Sequence, residues 1–134
     1  MSAENNIRVV QSLYAAFGRG DVPAVLEALD PNVVWTNPGP AEYSYFGTHQ
    51  GRDAVLRNVF MFLAENVEMH AFEPREFFAS GDKVVVLLHM EATVRRTKRR
   101  FAQEIAHAFT LKDGRPVRFH DFQNNYAIAE ALRG

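Results

Sequence analysis

The sequence predicts an α+β domain in which helices precede a curled antiparallel sheet. Three observations predict it: helical periodicity in the first half, long alternating runs in the second, and turn signals between those runs. Ile7, Val10, Leu13, Tyr14 and Phe17 recur at three- and four-residue steps, which makes one apolar helix face. Gly18 and Gly20 end that helix. Asp21 is placed to cap a second short helix, with Pro23 in its first turn and Val22, Val25, Leu26 and Leu29 as its buried stripe. Asn32–Asn37 reads as a short strand, followed by the turn sequence NPGP. A third helix runs from near Gly51 to about Asn66, with Val55, Val59, Phe62 and Leu63 on its apolar face.

Beyond Val67 the period changes to two. Pro74–Phe78, Val84–Val94, Phe101–Leu111 and Val117–Gln123 read as strands. SGD, the basic stretch Arg95–Arg100, and KDGR separate them, giving three consecutive hairpins and an antiparallel meander. Asn125–Arg133 has Ile128 and Leu132 at helical spacing, with Asn124 or Asn125 available as a cap. Strands of about ten residues must twist and curl, which leaves a concave space under the helices where small ligands bind.

Composition bounds the function. The 134 residues suit one domain, and 47% hydrophobic with 23% charged residues is the balance of a folded globule. Fifteen basic and sixteen acidic residues leave a net charge of −1, which offers no broad attraction to nucleic acid or to an anionic membrane. The absence of cysteine excludes disulfides, thiolate metal sites and a cysteine nucleophile, and suits a reducing compartment. No apolar run is long enough to span a bilayer and no secretory signal is recognisable, so a cytoplasmic location is expected. The five histidines form no H-x-H or H-x-x-x-H pair, and no P-loop, G-x-G-x-x-G or G-x-S-x-G motif occurs. No metal or cofactor is therefore expected. The basic stretch at Arg95–Arg100 reads as a solvated hairpin tip, with a clamp for an acidic substrate as the other reading.

Strand parity selects the residues that face the concave space. Phe101, Gln103, Ile105, His107, Phe109 and Leu111 share the bulkier face of their strand, with Gln103 and His107 as its polar members. Val86, Leu88, Met90 and Ala92 share a face on the preceding strand, and Trp35 and Asn37 on the first. Val117, Phe119, Asp121 and Gln123 are placed inward on the last strand because Arg118 and His120 suit solvent. One β-bulge would reverse that last assignment. Val85, Leu87, Ala102, Ala106 and Ala108 then fall on the outer face, which is apolar enough to expect a homodimer through the sheet.

VVQSLYAAFGRGDVPAVLEAL at 9–29, DPNVVWTNPGP at 30–40, FGTHQGRDAVLRNVF at 46–60, SGDKVVVL at 80–87 and HAFTLKDGRPVRFHDF at 107–122 together resemble the NTF2-like superfamily. More narrowly, they resemble its ketosteroid isomerase-related, SnoaL-like polyketide cyclase branch. The resemblance implies a cone: a strongly bent antiparallel sheet packed on three N-terminal helices, across residues 1–134 as a single domain. It does not carry over ketosteroid isomerase activity. That enzyme uses an aspartate base and an oxyanion hole of tyrosine and neutral aspartic acid. The matching positions here are Asn37, Leu13 beside Tyr14, and His107.

The cyclase-like arrangement instead implies catalysis by His107 and Asp121 on adjacent late strands. A carboxylate beside an imidazole raises the imidazole pKa and fixes its tautomer, which suits general acid–base work near neutral pH. Tyr14, Trp35, Asn37, Leu88, Met90, Gln103, Phe119 and Gln123 are the expected substrate-binding residues. The expected ligand is a hydrophobic small molecule, with a carbonyl or polyketide-like substrate if the protein is an enzyme. The alternative is a non-catalytic ligand carrier, or a dimeric interaction domain whose cone is filled by Phe60, Phe62, Phe72, Phe77 and Phe78.

Overall fold

The computed structural model describes residues 2–134. Helix α1 (Ala3–Gly18) is followed by α2 (Val22–Ala28), strand β1 (Val34–Asn37) and strand β2 (Gly47–Gln50). A helical rod comes next, made of α3 (Arg52–Val55), a π-helical turn (Leu56–Phe60) and α4 (Met61–Asn66). The long strands β3 (Val67–Ser80), β4 (Lys83–Val94), β5 (Arg100–Lys112) and β6 (Arg115–Phe122) follow, and α5 (Asn125–Arg133) closes the chain. Among the described residues the strands form one six-stranded sheet in the order β2-β1-β6-β5-β4-β3, antiparallel except where β1 lies parallel to β6. The predicted α+β cone is the observed fold.

Local chemistry sets the element ends. Ser2 accepts from the Asn5 amide at the start of α1, Asp21 from the Ala24 amide at the start of α2, and Asn124 from the Ala127 amide at the start of α5. Asp113 and Gly114 both take positive φ, the geometry of a type I′ hairpin, and join β5 to β6. Alternation is strict in β4, where Val84, Val86, Leu88, Met90, Ala92 and Val94 are all buried.

Several elements differ from the sequence reading, each for a physical reason. Strand β3 spans fourteen residues rather than five, because register shifts at Met69/Ala71 and Pro74/Glu76 break its alternation. Pro74 is tolerated because β3 is a sheet edge. Strand β2 has no apolar alternation to reveal it. The third helix contains a π turn, so both Val59 and Phe60 are buried while Phe62 and Leu63 are only half-buried.

The β5–β6 pairing contains a bulge that decides the site. The tight turn pairs Lys112 with Arg115 and Leu111 with Pro116, yet Thr110 pairs with Arg118. Val117 is thus the extra residue, beside a proline that has no N–H for the ladder. In the register set by the turn, His107 would face His120. With the bulge it faces Asp121.

The basic β4–β5 hairpin is a solvated tip, as expected, and it is also anchored to α5. Arg96 donates to the Leu132 carbonyl, Thr97 Oγ1 to the Ala131 carbonyl at 2.7 Å, and Arg99 to the Gly134 carbonyl at 3.0 Å. These groups satisfy the carbonyl end of α5, where positive charge is also favoured by the helix dipole. Arg52 and Arg115 hold the end of α2 in the same way, through the Glu27 and Leu29 carbonyls. Among the described residues no helix is long and apolar enough to cross a membrane.

Replacing the Thr97 hydroxyl by a methyl group tests the anchoring of α5. Thr97→Val is expected to cost about 1 kcal/mol in urea unfolding and to speed amide exchange in the last turn of α5. Exchange unchanged from wild type would overturn the anchoring role.

Candidate functional site

The inner faces of the sheet and the apolar stripe of α1 enclose a cavity. Tyr14 reaches it from α1, His107 from β5, Asp121 from β6, and Trp35 and Asn37 from β1. Tyr45, from the segment before β2, and Gln123, just past β6, complete its polar lining. Most of the wall is apolar and aromatic, including Phe60, Phe72, Phe109 and Phe119. The free volume is about 90 Å³. That is below the roughly 150 Å³ of an engineered cavity that holds benzene, so a ring-sized ligand must displace lining side chains. The half-buried Phe62, Leu63, Met69, Phe72 and Phe101 are the part of the wall nearest solvent, and thioether and leucine side chains there yield readily.

A buried polar chain crosses this apolar space. The Tyr14 hydroxyl lies 2.6 Å from His107 Nδ1. His107 Nε2 lies 3.4 Å from Asp121 Oδ1. Asp121 Oδ2 accepts from Gln123 Nε2 at 2.5 Å and from Asn125 Nδ2 at 3.4 Å, and the same Asn125 amide donates to the Pro38 carbonyl at 2.7 Å. Burial pushes the Tyr14 phenol well above its ordinary pKa, and the Asp121 charge adds to the effect. The phenol therefore stays protonated, and because an N–H rather than a lone pair is favoured on Nε2 beside the Asp121 carboxylate, the phenol is the donor to Nδ1. The neutral imidazole thus carries its proton on Nε2, directed toward Asp121. Tyr45 is raised by the same two causes, burial first and Asp121 second.

Two neighbouring interactions fix the walls. The Trp35 ring stacks on Phe119 with centroids 3.8 Å apart, and these residues are register partners across β1 and β6. The Tyr45 carbonyl accepts from Asn37 Nδ2 at 3.2 Å and from His49 Nε2 at 2.9 Å. Gly39 admits no side chain, because a Cβ there would lie 2.4 Å from the Phe46 ring.

The cavity brings together eight of the ten expected residues: His107, Asp121, Tyr14, Trp35, Asn37, Met90, Phe119 and Gln123. Two fall outside its lining. Gln103 is spent on structure, donating to the Asn124 carbonyl at 3.0 Å and accepting from the Asn124 amide at 2.9 Å. Leu88 is on the inward face but is fully buried within the core. Of the expected aromatic fillers, Phe60, Phe62 and Phe72 line the cavity, whereas Phe78 points outward and is 54% exposed. Tyr14, not only Leu13, carries the inward position on α1. Tyr45 was hidden from sequence reasoning because it sits in an irregular segment with no periodicity to orient it. Among the described residues, no three His, Asp or Glu side chains converge as a metal site would require.

Comparison with known proteins places this geometry. Residues 10–119 match the sequence profile of the SnoaL-like domain. The chain is 33% identical to an NTF2-like protein of unknown function from Burkholderia pseudomallei, covering 100% of both chains with a TM-score of 0.88. An NTF2-like protein from Burkholderia xenovorans is 31% identical over 98% of both chains, with a TM-score of 0.86. TerC, crystallised with polyporic acid, is 26% identical, with 97% of this chain and 99% of TerC covered and a TM-score of 0.85. No curated protein matches the sequence.

The buried phenols give an alkaline signature. Their folded pKa lies above the unfolded value of about 10, so their stabilisation is complete below pH of about 10 and is lost as pH rises toward the folded value. Melting temperature is expected to fall above that pH, less steeply in Tyr14→Phe. Part of the phenolate absorbance should appear only on unfolding. Ionisation of all tyrosines in the folded protein near pH of about 10 would contradict the burial of this chain.

Proposed function

The chain belongs to the SnoaL-like family of the NTF2-like superfamily, and from that premise we propose that it binds a small molecule in the cone and acts on it by general acid–base catalysis. One observation carries the reading: on the wall of an apolar cavity, buried Tyr14 is hydrogen-bonded to His107, whose other ring nitrogen lies 3.4 Å from the Asp121 carboxylate. Buried polar arrangements of this kind are high-stakes in a low-dielectric interior.

The chain supplies both halves of a proton transfer. Asp121 Oδ1, free of any hydrogen bond, is the acceptor that takes a proton, and His107 Nε2–H, its other nitrogen held by Tyr14 O–H, is the donor that delivers one. A proton taken from a carbon next to a carbonyl, or delivered to the oxygen in an aldol-type ring closure, needs a pair of this kind. The substrate class in this reading is a carbonyl or polyketide-like molecule, and the chemistry is complete without a cofactor. Asn37 stands where ketosteroid isomerase has its aspartate base, and an amide cannot take a proton at neutral pH. Ketosteroid isomerisation by that route is therefore not the activity. The cysteine-free composition suits a reducing compartment, and the reading places the protein in the cytoplasm.

The same reading pairs two copies through the outer sheet face. Phe78, Val85, Ala108 and His120 fall in one row across β3 to β6, and Leu87, Ala106 and Phe122 in the next. Phe122 is 56% exposed and Leu87 37%. Beside these rows, Arg75 contacts Glu73 and Glu104, while His89 bridges Glu91 and Glu104. A cluster holding both charge signs next to an apolar patch is self-complementary about a two-fold axis.

Two measurements test this function. Against a panel of cyclic ketones and polyketide mimics, His107→Ala and Asp121→Asn are each expected to lower kcat by roughly a hundredfold with the fold intact by circular dichroism. Turnover unchanged in both variants would refute the assignment. Sedimentation at micromolar concentration is expected to give a dimer that Leu87→Arg dissociates, and a wild-type monomer would rule the pairing out.

A further inference from the structure

Three buried polar atoms on the cavity wall have no hydrogen-bond partner. Asp121 Oδ1 has no hydrogen-bond partner, because its approach to His107 Nε2 at 3.4 Å lacks the geometry of one. Gln123 Oε1 is likewise buried and unpartnered, its amide nitrogen being given to Asp121. Trp35 Nε1–H is a buried donor with no acceptor. Their residues all line the cavity, and Trp35 and Asp121 are 8% and 2% exposed. Unmet buried groups of this kind are costly, and each accounts for itself most simply as a contact left for a ligand. The set is specific: two acceptors that need donors, and one donor that needs an acceptor.

Charge narrows the class further. Asp121 is the one acidic side chain on the wall, and among the described residues neither lysine nor arginine lines it. A carboxylate ligand would bring a second negative charge into a low-dielectric space with no fixed cation to receive it. It would also offer no hydrogen to Asp121 Oδ1 or Gln123 Oε1. A neutral hydroxyl can donate to either acceptor and, through a second oxygen or its own lone pair, accept from Trp35 or from His107 Nε2–H.

We propose that the cavity selects neutral, ring-sized molecules bearing a hydroxyl donor, such as phenols, enols and alicyclic alcohols, and rejects carboxylates of the same size. This rests on the small-molecule reading above and specifies the ligand it takes. Asp121 Oδ1 is the primary acceptor, Gln123 Oε1 the second, and Trp35 Nε1 the donor that orients the far side of the ring. The free volume of about 90 Å³ puts the smallest rings first.

The protein carries its own reporter. Trp35 is the single tryptophan of the sequence and it stacks on Phe119 at the cavity wall. Phenol, cyclohexanol and benzoate are titrated against the purified protein at neutral pH, following Trp35 fluorescence and the melting temperature. Phenol is expected to perturb both saturably, cyclohexanol to raise the melting temperature, and benzoate to bind at least about tenfold more weakly than phenol. Asp121→Asn is expected to close the gap between phenol and benzoate. Benzoate binding to wild type as tightly as phenol would overturn the selectivity while leaving the cavity a binding site. A gap that persists in folded Asp121→Asn would overturn the role of that carboxylate. If none of the three probes alters fluorescence or melting, the small-molecule reading falls and the selectivity with it. The wild-type comparison decides the selectivity even if the variant does not fold.

Discussion

The polar site depends on the pairing of β5 with β6 in one particular register. His107 and Asp121 are fourteen positions apart in sequence, and only the sheet brings their side chains together. A slip of one residue would turn Asp121 to solvent and bring His120 inward, because side chains alternate with a period of two. The Asp113–Gly114 turn by itself sets the slipped register. The bulge at Val117, next to Pro116, corrects it within two pairs of the turn. The chemistry of the cavity therefore rests on a proline that cannot donate to the ladder and on the extra residue accommodated beside it.

That dependence explains which features were legible in the sequence. The inward faces of β4 and β5 were readable because both strands keep strict alternation over ten or more residues, and His107 stands out as polar on an apolar face. The inward placement of Asp121 was correct, although Val117, grouped with it by parity, is the bulged residue itself. The assignment rested on Arg118 and His120 suiting solvent, and both lie beyond the bulge, where Phe119 and Asp121 do share a face. Bulges hid most of β3, the π turn left Phe60 off the apolar face predicted for the third helix, and β2 was too short to show any period. Gln103 shows the opposite limit. Its face was read correctly, but parity says nothing of an amide drawn sideways to the Asn124 backbone.

Helix ends are secured by a recurring device. The short helices α2 and α5 have seven and nine residues, too few to be stable alone. Each has a side-chain cap at its amino end and arginine side chains on its last carbonyls. Of the arginines that look in sequence like a basic binding patch, Arg96 and Arg99 are committed to backbone carbonyls and Arg100 to the Glu91 carboxylate. This leaves the cavity wall free of cations, and Asp121 must be balanced by hydrogen bonds rather than by an ion pair with lysine or arginine.

The hydrogen bonds to Asp121 divide its two oxygens between structure and chemistry. Oδ2 is held by Gln123 and by Asn125, and Asn125 in turn holds the Pro38 carbonyl of the loop after β1. The carboxylate is thereby tied to the junction of β6 and α5 and, through Asn125, to the NPGP loop 87 positions earlier in the sequence. These ties fix its plane and leave Oδ1 toward His107 with no structural partner. A carboxylate needed only for stability would gain from satisfying both oxygens, since a buried unpaired acceptor is costly. Holding one oxygen firmly while keeping the other vacant is the arrangement expected of a group that must meet a proton, or a hydroxyl, arriving from outside the fold.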